Sequence, residues 1–475
     1  MSTCTPTAPG RAVVLGAGMA GLLAAAALAG HAEEVVVLDR DRLPAGAAPR
    51  KGLPQARHAH LLMSGGVRTV EELLPGTQRS WAAAGVRRIG LPDGLVAQSP
   101  EGWYPRRPGE EYVLTGTRDL LDAVLRERVR ALPGVELREG TEAVALLGDA
   151  RRVTGVRVRD AATGAQGSLE AALVVDASGR GAQSLQRLAG IGLPPVREES
   201  VDSGLVYASR FFAAPGGDGP FPLVSVQPDR VAGRPGQGAV LVPVEDGRWL
   251  VTLSGTRGGE PSREEGEFER FARRLRHPLI ADLIARATPL SGVHLTRSTV
   301  NRRRFHERSS VWPEGFVATG DAVATFNPVY GQGMSVAARS AAVLRAVLGE
   351  RPLGSAGLAR RAQRRIGRVV AGSWELAVGE DSTYPGVVGR RPPLGTRLLH
   401  GYVQRMMRTA TVDPLVLRSL MAVMTMSAPV TELLRPAVAL AVARGPGRTR
   451  PDGPPITAAE LALCGLEPRR PAGPC

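Results

Sequence analysis

The glycine-rich segment Gly16–Gly21, with the sequence GAGMAG, places the strongest constraint on how this 475-residue chain can fold. A short apolar run, Arg11–Leu15, precedes it, and the Ala- and Leu-rich stretch Met19–Ala29 follows. A buried strand, a tight glycine turn and a helix in this order begin a dinucleotide-binding unit. With 58 glycines in the chain, the motif needs this context to carry weight.

Each glycine of the segment has a separate predicted task. Gly16 permits the tight turn, Gly18 lets the backbone approach a diphosphate, and Gly21 lets helix and strand pack closely. The start of the helix offers free N–H groups and the positive end of its dipole to the phosphates. A second strand, Val35–Leu38, ends at Asp39, where a carboxylate can accept hydrogen bonds from ribose hydroxyls.

A second segment, Gly320–Met334, predicts what holds the other half of the same ligand. Asp321 follows an apolar run, where its carboxylate can bind the hydroxyls of a ribityl chain. Pro328 stiffens the next turn, and two glycines remove side chains just before the Ala-rich helix predicted over Met334–Gly349. The helix dipole can stabilise negative charge on a reduced flavin. Together the two segments predict a protein that binds FAD.

By these two segments the chain resembles the aromatic-hydroxylase-like flavin monooxygenases, the group that includes squalene epoxidase. The stretches between them resemble more closely the bacterial epoxidases of polyether-ionophore biosynthesis, of the lasalocid and monensin type. This closer resemblance is carried by Arg50–His60, Glu72–Thr77, Leu91–Gly94, Glu245–Gly259 and Ser298–Arg303. It extends to about residue 350.

The resemblance implies an α/β fold with a Rossmann-like FAD-binding domain. The residue pattern adds an inserted β-sheet substrate domain and a helical C-terminal region. The resemblance also implies a monooxygenase that uses O2 and takes electrons from NAD(P)H or from a separate flavin reductase. One oxygen atom would pass from the flavin C4a-hydroperoxide to the alkenes of a linear polyene polyketide, in polyether antibiotic biosynthesis. No side chain is predicted to be catalytic, because the cofactor carries this chemistry.

Other functions on this scaffold stay open. An aromatic hydroxylase, a flavin-dependent reductase of prenyl chains and a non-catalytic FAD-binding protein all fit the two flavin segments. Flavin halogenation is less favoured, since the Trp-x-Trp-x-Ile-Pro signature is absent and Gly102–Pro105 does not replace it.

Two more segments contribute predicted cofactor contacts. Arg118 opens a helix predicted to reach about Leu132, and the resemblance implies that it lies against the cofactor. Val174–Arg180 predicts a strand and a polar turn, in which Gly179 stands later than the Gly of the Asp-Gly pair of aromatic hydroxylases. The chain has one dinucleotide fingerprint only, so stable binding of NAD(P)H is not expected.

The predicted cofactor-binding residues are Gly16, Gly18, Met19, Gly21, Asp39, Arg40, Arg50, Lys51, Gln55, His58, Arg118, Asp176, Gly179, Asp321, Pro328, Gly331, Gln332, Gly333 and Met334. The candidates for walls of the substrate pocket are Tyr207, Trp249, Phe326 and Tyr330.

The pair His58 and His60 does not predict a metal site. Structural metal sites need a full ligand set, and no Cys, Asp or Glu lies near the pair in sequence. A hydrogen bond from His58 or Gln55 to the cofactor is expected instead, with a plain loop histidine as the alternative.

The net charge of +15 does not predict a nucleic-acid-binding protein. Lys51 is the only lysine among 60 basic residues, the arginines are scattered, and aromatic residues make up 4%. The patch and the fold signatures that such binding needs are missing. A basic surface could instead dock an acidic reductase or an acidic acyl carrier protein that bears the polyketide, which could also be free.

The ends of the chain predict a cytoplasmic protein. Residues 1–10 lack the pattern of a signal peptide. The sequence contains no uninterrupted run of about 18 apolar residues, so a transmembrane segment is not predicted. The three cysteines, Cys4, Cys464 and Cys475, lie in ends predicted to be loose, which fits a reducing compartment.

The domain organisation is predicted to be discontinuous. The FAD-binding domain is expected from residues 8–85, 110–195 and 295–370, the substrate domain from 86–109 and 196–294, the helical region from 371–445 and a disordered tail from 446–475. Within the substrate domain, Val224–Val226, Ala239–Val244 and Arg248–Leu253 are predicted strands, with a hairpin turn at residues 245–247. This sheet is expected to form the floor of the substrate cavity.

Overall fold

The computed structural model describes residues 10–181, 183–229, 233–389, 396–447 and 450–467, and the side chains of 396–400 are not described. Its strands in chain order are β1 (Ala12–Leu15), β2 (Val35–Leu38), β3 (Leu61–Met63), β4 (Arg87–Leu91), β5 (Leu95–Ser99), β6 (Gly102–Trp103), β7 (Glu111–Thr115), β8 (Val135–Arg138), β9 (Thr141–Gly148), β10 (Val153–Asp160), β11 (Gln166–Glu170), β12 (Leu173–Asp176), β13 (Glu198–Asp202), β14 (Val206–Ala213), β15 (Leu223–Val226), β16 (Gln237–Val244), β17 (Arg248–Gly255), β18 (Thr288–Pro289), β19 (His294–Thr296), β20 (Asn301–Arg304), β21 (Phe316–Ala318), β22 (Ala324–Thr325) and β23 (Val388–Gly389).

The helices are α1 (Met19–Leu28), α2 (Ser64–Leu73), α3 (Thr77–Ala83), α4 (Arg118–Arg130), α5 (Gln183–Gly190), α6 (Glu265–Arg273), α7 (Leu279–Ile284), α8 (Gly333–Glu350), α9 (Leu358–Asp381), α10 (Thr396–Ala410), α11 (Pro414–Met424), α12 (Pro436–Arg444) and α13 (Ala458–Leu463). Short 3-10 turns lie at Pro54–Arg57, His306–Arg308, Gly320–Ala322, Pro328–Tyr330 and Val430–Leu434.

A five-stranded parallel sheet, in the order β21-β12-β1-β2-β8, forms the centre of the cofactor-binding part. Strands β1 and β2 are Val-rich and fully buried, as expected when helices cover both faces of a parallel sheet. Helix α1 packs against α4 and α8, and α8 packs against α9. The predicted Rossmann-like α/β architecture is therefore confirmed, with the first helix and both strands at the predicted residues within one position.

A second, eight-stranded sheet contains the predicted substrate-domain strands, found as β15, β16 and β17. Asp246 and Gly247 join β16 to β17 with φ of 59° and 60°, the left-handed geometry of a type I′ hairpin turn. Helices α6 and α7 cover one face of this sheet, around Phe268. Helices α11 and α12 cover the apolar end of the other face, around Leu420, where Met406 and Met421 are packed in the core.

Two predicted boundaries differ from the structure. The boundary between residues 370 and 371 falls inside α9, which is one unbroken helix because its buried face repeats through Ala362, Ile366, Val370 and Trp374. The predicted boundary marks where the sequence pattern becomes helical and Met-rich, but the apolar period of α9 begins before that point and continues through it.

Part of the tail predicted to be disordered is also ordered in the structure. Thr457 and Glu460 form a capping box that starts α13, and Glu460 accepts a hydrogen bond from Arg106 at 2.6 Å. Cys464 is 3% exposed in the core around Phe268. Cys464 therefore does not lie in a loose end, because the apolar edge of α13 packs in this core although the surrounding tail is rich in Pro and Gly. Cys4 and Cys475 lie outside the described residues.

Within the described part of the chain, no helix is both long enough and apolar enough to cross a membrane.

Candidate cofactor site

A large pocket opens at the carboxyl ends of the parallel strands. Its empty volume is about 1840 Å³ including the open mouth, and it is lined by residues that follow β1, β2, β12 and β21. Ligands of doubly wound sheets bind at this edge, where loops and helix starts converge. Both glycine segments reach this pocket, as the sequence predicts.

The glycine turn after β1 fits a diphosphate. Gly16 has a φ of 100°, and a Cβ there would lie 2.7 Å from the carbonyl oxygen of Ala177. Helix α1 begins at Met19 without a side-chain cap and without an acidic residue in its first turn. The amide groups of the first helical turn and the positive end of the helix dipole are thus available to an anion.

Asp39 lies at the end of β2 and organises the same turn. Its Oδ2 accepts hydrogen bonds from the Ala17 amide at 2.8 Å and from Arg50 Nη1 at 3.0 Å. Its Oδ1 accepts one from the Asp41 amide at 2.9 Å. The carboxylate therefore fixes the glycine loop and the Arg50 guanidinium, in addition to its predicted contact with a ribose.

The second segment forms another wall of the pocket. Gly331 has a φ of 63°, and α8 begins at Gly333 with no side-chain cap from Gln332. The Oε1 atom of Gln332 is buried and has no hydrogen-bond partner among the described residues. A buried acceptor without a donor costs free energy, so this atom fits a site completed by a ligand N–H or O–H group.

Arg180 is a pocket residue that the sequence reasoning missed. Its Nε donates to Asp321 Oδ2 at 3.3 Å, and its Nη1 donates to the Ser298 carbonyl. The guanidinium therefore orients the predicted ribityl-binding carboxylate from the neighbouring turn after β12. Its position next to Gly179, in the polar turn after β12, was the available signal.

His58 and His60 both line the pocket, and their ring protons lie on different nitrogen atoms. Thr252 Oγ1 accepts from the Ala59 amide at 3.1 Å, and the hydroxyl groups of Thr252 and Ser209 are 2.7 Å apart. Ser209 Oγ is 2.8 Å from His58 Nδ1. Both hydroxyl groups have an acceptor when Thr252 donates to Ser209 and Ser209 donates to His58, which leaves the ring proton of His58 on Nε2.

The neighbouring ring carries its proton on the other nitrogen. His60 Nδ1 donates to the His58 carbonyl at 2.8 Å, so its Nε2 has a free lone pair. Burial lowers the pKa of His58 to about 4, with His294 and Arg57 as further causes. Burial also lowers the pKa of His60 to about 3, with Arg118 as the next cause. Both rings are therefore neutral at pH 7, and they offer one donor and one acceptor to the pocket.

A buried polar cluster supports the loop that carries Phe326 and Pro328. Asp381, at the end of α9, accepts hydrogen bonds from Asn301 Nδ2 at 2.6 Å, Asn327 Nδ2 at 3.1 Å and Tyr330 Oη at 2.6 Å. Tyr207 Oη donates to Asn327 Oδ1 at 3.0 Å. Burial raises the pKa of Asp381, and these donors oppose that rise. Asn301 and Asp381 were missed, because the approach of two distant elements leaves no local sequence signal.

The pocket contains most but not all of the predicted residues. The predicted cofactor residues that line it are Gly16, Gly18, Met19, Asp39, Arg40, Arg50, Gln55, His58, Arg118, Gly179, Asp321, Pro328, Gly331, Gln332, Gly333 and Met334. Phe326 is the predicted substrate-wall residue that also lines it.

Three predicted cofactor residues lie outside the pocket. Gly21 faces β1, where its Cβ would lie 1.8 Å from the Gly16 carbonyl oxygen, which is the packing role predicted for it. Lys51 is exposed on the loop. Asp176 is fully buried and accepts hydrogen bonds from Ser178 and Arg187, so it shapes the turn after β12 from beneath.

Three predicted substrate-wall residues also lie elsewhere. Trp249 is packed on Phe221 on the face of the large sheet that α6 and α7 cover. Tyr207 and Tyr330 belong to the Asp381 cluster behind the loop, since their hydroxyl groups need buried partners.

The comparisons with known proteins agree with this site. The model of the FAD-binding domain family matches residues 11–361. Protein Rv3254 of Mycobacterium tuberculosis is 30% identical over 420 residues, which cover 85% of this chain and 87% of that protein. Kynurenine 3-monooxygenase of Salinispora arenicola is 30% identical over 370 residues, 74% of each chain.

The fold is also similar to that of a solved structure, the flavin-dependent brominase Bmp2. Its TM-score is 0.64 at 13% identity, with 91% of this chain and 97% of the brominase covered. A likeness at this identity concerns the fold alone. FAD is the cofactor of this protein, and the chain belongs to the FAD-binding domain family of FAD-dependent monooxygenases.

Proposed function

We propose that this monooxygenase epoxidises the alkenes of a linear polyene polyketide in polyether antibiotic biosynthesis. The resemblance of the stretches between the two flavin segments supports this substrate class. The structural observation that carries the proposal is the neutral wall of the pocket formed by His58, His60, Leu61 and Phe326.

This wall offers no efficient base at neutral pH. The two imidazoles, with pKa values lowered to about 4 and about 3, are uncharged and weakly basic. An alkene supplies its own electron pair to an electrophilic oxygen, so its oxidation needs no proton transfer to a side chain. The hydroxylation of a phenol commonly needs a base to remove the phenolic proton, so this wall favours an alkene.

The residues of the site bind and orient, while bound FAD supplies the activation of O2 after its reduction. The helix starts of α1 and α8 would hold anionic groups of FAD, and Asp39 and Arg50 fix the glycine loop. The Asp381 cluster fixes the loop of Phe326, which together with Leu61 gives the neutral wall its apolar surface.

We further propose that electrons come from transient contact with NAD(P)H or from a separate flavin reductase. In this proposal the substrate is free or bound to an acyl carrier protein, and the enzyme works in the cytoplasm. The proposed source of electrons is supported by the single dinucleotide fingerprint, because FAD itself uses this fingerprint and none is left for stable binding of NAD(P)H.

The test is anaerobic reduction of the FAD-loaded protein, followed by O2 and a polyketide with trisubstituted alkenes. We expect O2 uptake, a product heavier by one oxygen atom, and loss of the olefinic proton signals in the NMR spectrum. Reduced free FAD without the protein is the control and should leave the alkenes intact. Consumption of O2 with unchanged alkenes would contradict the proposal, as would a product that gains two hydrogens without O2 uptake.

A second candidate is hydroxylation of an aromatic ring. The observation in its favour is the similarity to kynurenine 3-monooxygenase over 74% of the chain. The same reaction with kynurenine as the probe distinguishes the two functions. Formation of a phenol from kynurenine, with the polyketide unchanged, would establish the second candidate in place of the first.

A further inference from the structure

A second pocket, remote from the cofactor, is lined almost entirely by arginines. Its lining consists of Gly357 and six arginines, namely Arg351, Arg360, Arg361, Arg364, Arg365 and Arg368. Its empty volume is about 710 Å³ including the open side, and it shares no residue with the flavin pocket. We call it the arginine pocket.

The arginine pocket lies at the opposite edge of the parallel sheet from the flavin pocket. The Gly357 amide donates to Glu314 Oε1 at 2.8 Å, and Glu314 precedes the amino end of β21. From there α9 continues to Asp381, behind the flavin loop. At about 1.5 Å per residue, the helix separates Arg360 from Asp381 by about 30 Å. The arginine pocket therefore cannot hold any part of the bound FAD.

The charges in the arginine pocket are poorly balanced. Glu350 pairs with Arg361 at 2.9 Å and with Arg365 at 2.6 Å. Within the described part of the chain, Arg360, Arg364 and Arg368 have no carboxylate within ion-pair distance. The Nη1 atom of Arg360 is buried and has no hydrogen-bond partner among the described residues. Burial lowers the pKa of Arg360, and the positive charge of Arg364 lowers it further.

The position of these cations on the helix is unfavourable for the protein alone. Gly357 provides no side-chain cap for α9, and the first turn has no acidic residue but contains Arg360 and Arg361. The positive end of a helix dipole disfavours cations by about 0.3–1 kcal/mol each. Like charges four residues apart, as in Arg360, Arg364 and Arg368, add further repulsion. An anion bound between the arginines would relieve both effects.

We propose that the arginine pocket binds a small anion that carries two or more phosphoryl groups. Three arginines in one row span about 12 Å of helix, and Arg361 and Arg365 form a second row beside them. This length exceeds what a single phosphate contacts, and guanidinium groups pair with phosphoryl oxygens through two parallel hydrogen bonds. The proposal is independent of the substrate proposed above.

The experiment uses the full chain saturated with FAD, at constant ionic strength. Calorimetric titration and thermal unfolding are measured with orthophosphate, pyrophosphate and tripolyphosphate. We expect affinity and the rise in melting temperature to increase in that order. The triple variant R360A/R364A/R368A should bind tripolyphosphate about tenfold more weakly or worse, because three charge-assisted contacts are lost.

The matched control removes the same charge from another exposed part of the molecule. The variant R270A/R274A/R286A should keep the affinity of the wild type for tripolyphosphate. The pocket variant should also melt no lower than the wild type without any phosphate, and its FAD absorbance reports that it is folded. Equal weakening in both triple variants would overturn the proposal. So would binding of a short DNA duplex without any response to tripolyphosphate.

Discussion

Gly21 shows how one absent side chain fixes the distance between a helix and a strand. A Cβ at this position would lie 1.8 Å from the Gly16 carbonyl oxygen and 3.4 Å from Val14 Cγ1. Backbone atoms cannot yield as the end of a flexible side chain can, so α1 would have to move away from β1. The start of the same helix is what faces the cofactor phosphates.

Gly21→Ala should therefore lower the affinity for FAD by more than about tenfold, since the displaced helix no longer presents its amide groups. The measurement is the FAD retained per protein after dialysis, read from visible absorbance. Gly372→Ala is the matched control, because Gly372 is also helical but a Cβ there meets nothing within 4 Å. It should keep its FAD and gain about 0.5–1 kcal/mol of unfolding free energy. Equal FAD loss in both variants would contradict this account.

At the scale of elements, the end of α9 supports the loop that precedes α8. The Asp381 carboxylate is 2% exposed and gathers donors from Ser203, Asn301, Asn327 and Tyr330, none of which is a cation. Removal of a buried acceptor leaves its donors unsatisfied, at a cost of about 1–3 kcal/mol for each group. One residue thus ties a β-strand, a loop and a helix together.

Asp381→Ala should lower the unfolding free energy by about 3 kcal/mol or more, because several buried donors lose their acceptor at once. Tyr330→Phe removes only one of these hydrogen bonds and should cost about 1 kcal/mol. Urea unfolding of the FAD-loaded variants measures both values. If Asp381→Ala cost no more than Tyr330→Phe, the carboxylate would not be the organising group of the cluster.

For the whole molecule, buried neutral histidines predict how stability depends on pH. Burial lowers the pKa values of His58 and His306 to about 4 and that of His60 to about 3, from an ordinary value of 6.5. The unfolded chain therefore binds protons at these positions below about pH 6.5, while the folded protein does not. The contribution of these groups to the free energy of unfolding is fully present above about pH 6.5 and is lost as the pH falls toward 4.

Each such histidine should reduce the unfolding free energy by up to about 1.4 kcal/mol per pH unit in this window. His60→Gln and His306→Gln should each flatten the loss between pH 6.5 and 4, as measured by urea unfolding at a series of pH values. An unchanged slope in both variants would show that these histidines take up protons in the folded state as well.

The sequence predicted the part of the molecule that depends on local patterns. The glycine turn, α1, α8 and the β16-β17 hairpin follow from residue types at short spacing, and the structure has them at those places. The Asp381 cluster and the position of Trp249 depend on which distant elements meet, and no spacing encodes that. The Thr457–Glu460 capping box of α13 is local and could have been recognised, whereas the contacts that hold α13 on the molecule depend on Arg106 and on the core around Phe268, which are far away in sequence.

Cys464 belongs to the same buried core as Val96 and Phe268, and this constrains the order in which the molecule can assemble during synthesis. The core of the large sheet contains residues from near position 96 to near position 464, so this core is incomplete until residue 464 has left the ribosome. The parallel sheet needs nothing beyond its last strand, β21, and the helices around it. We therefore expect the cofactor-binding half to fold first, and the substrate sheet to remain incomplete until residue 464 has been synthesised.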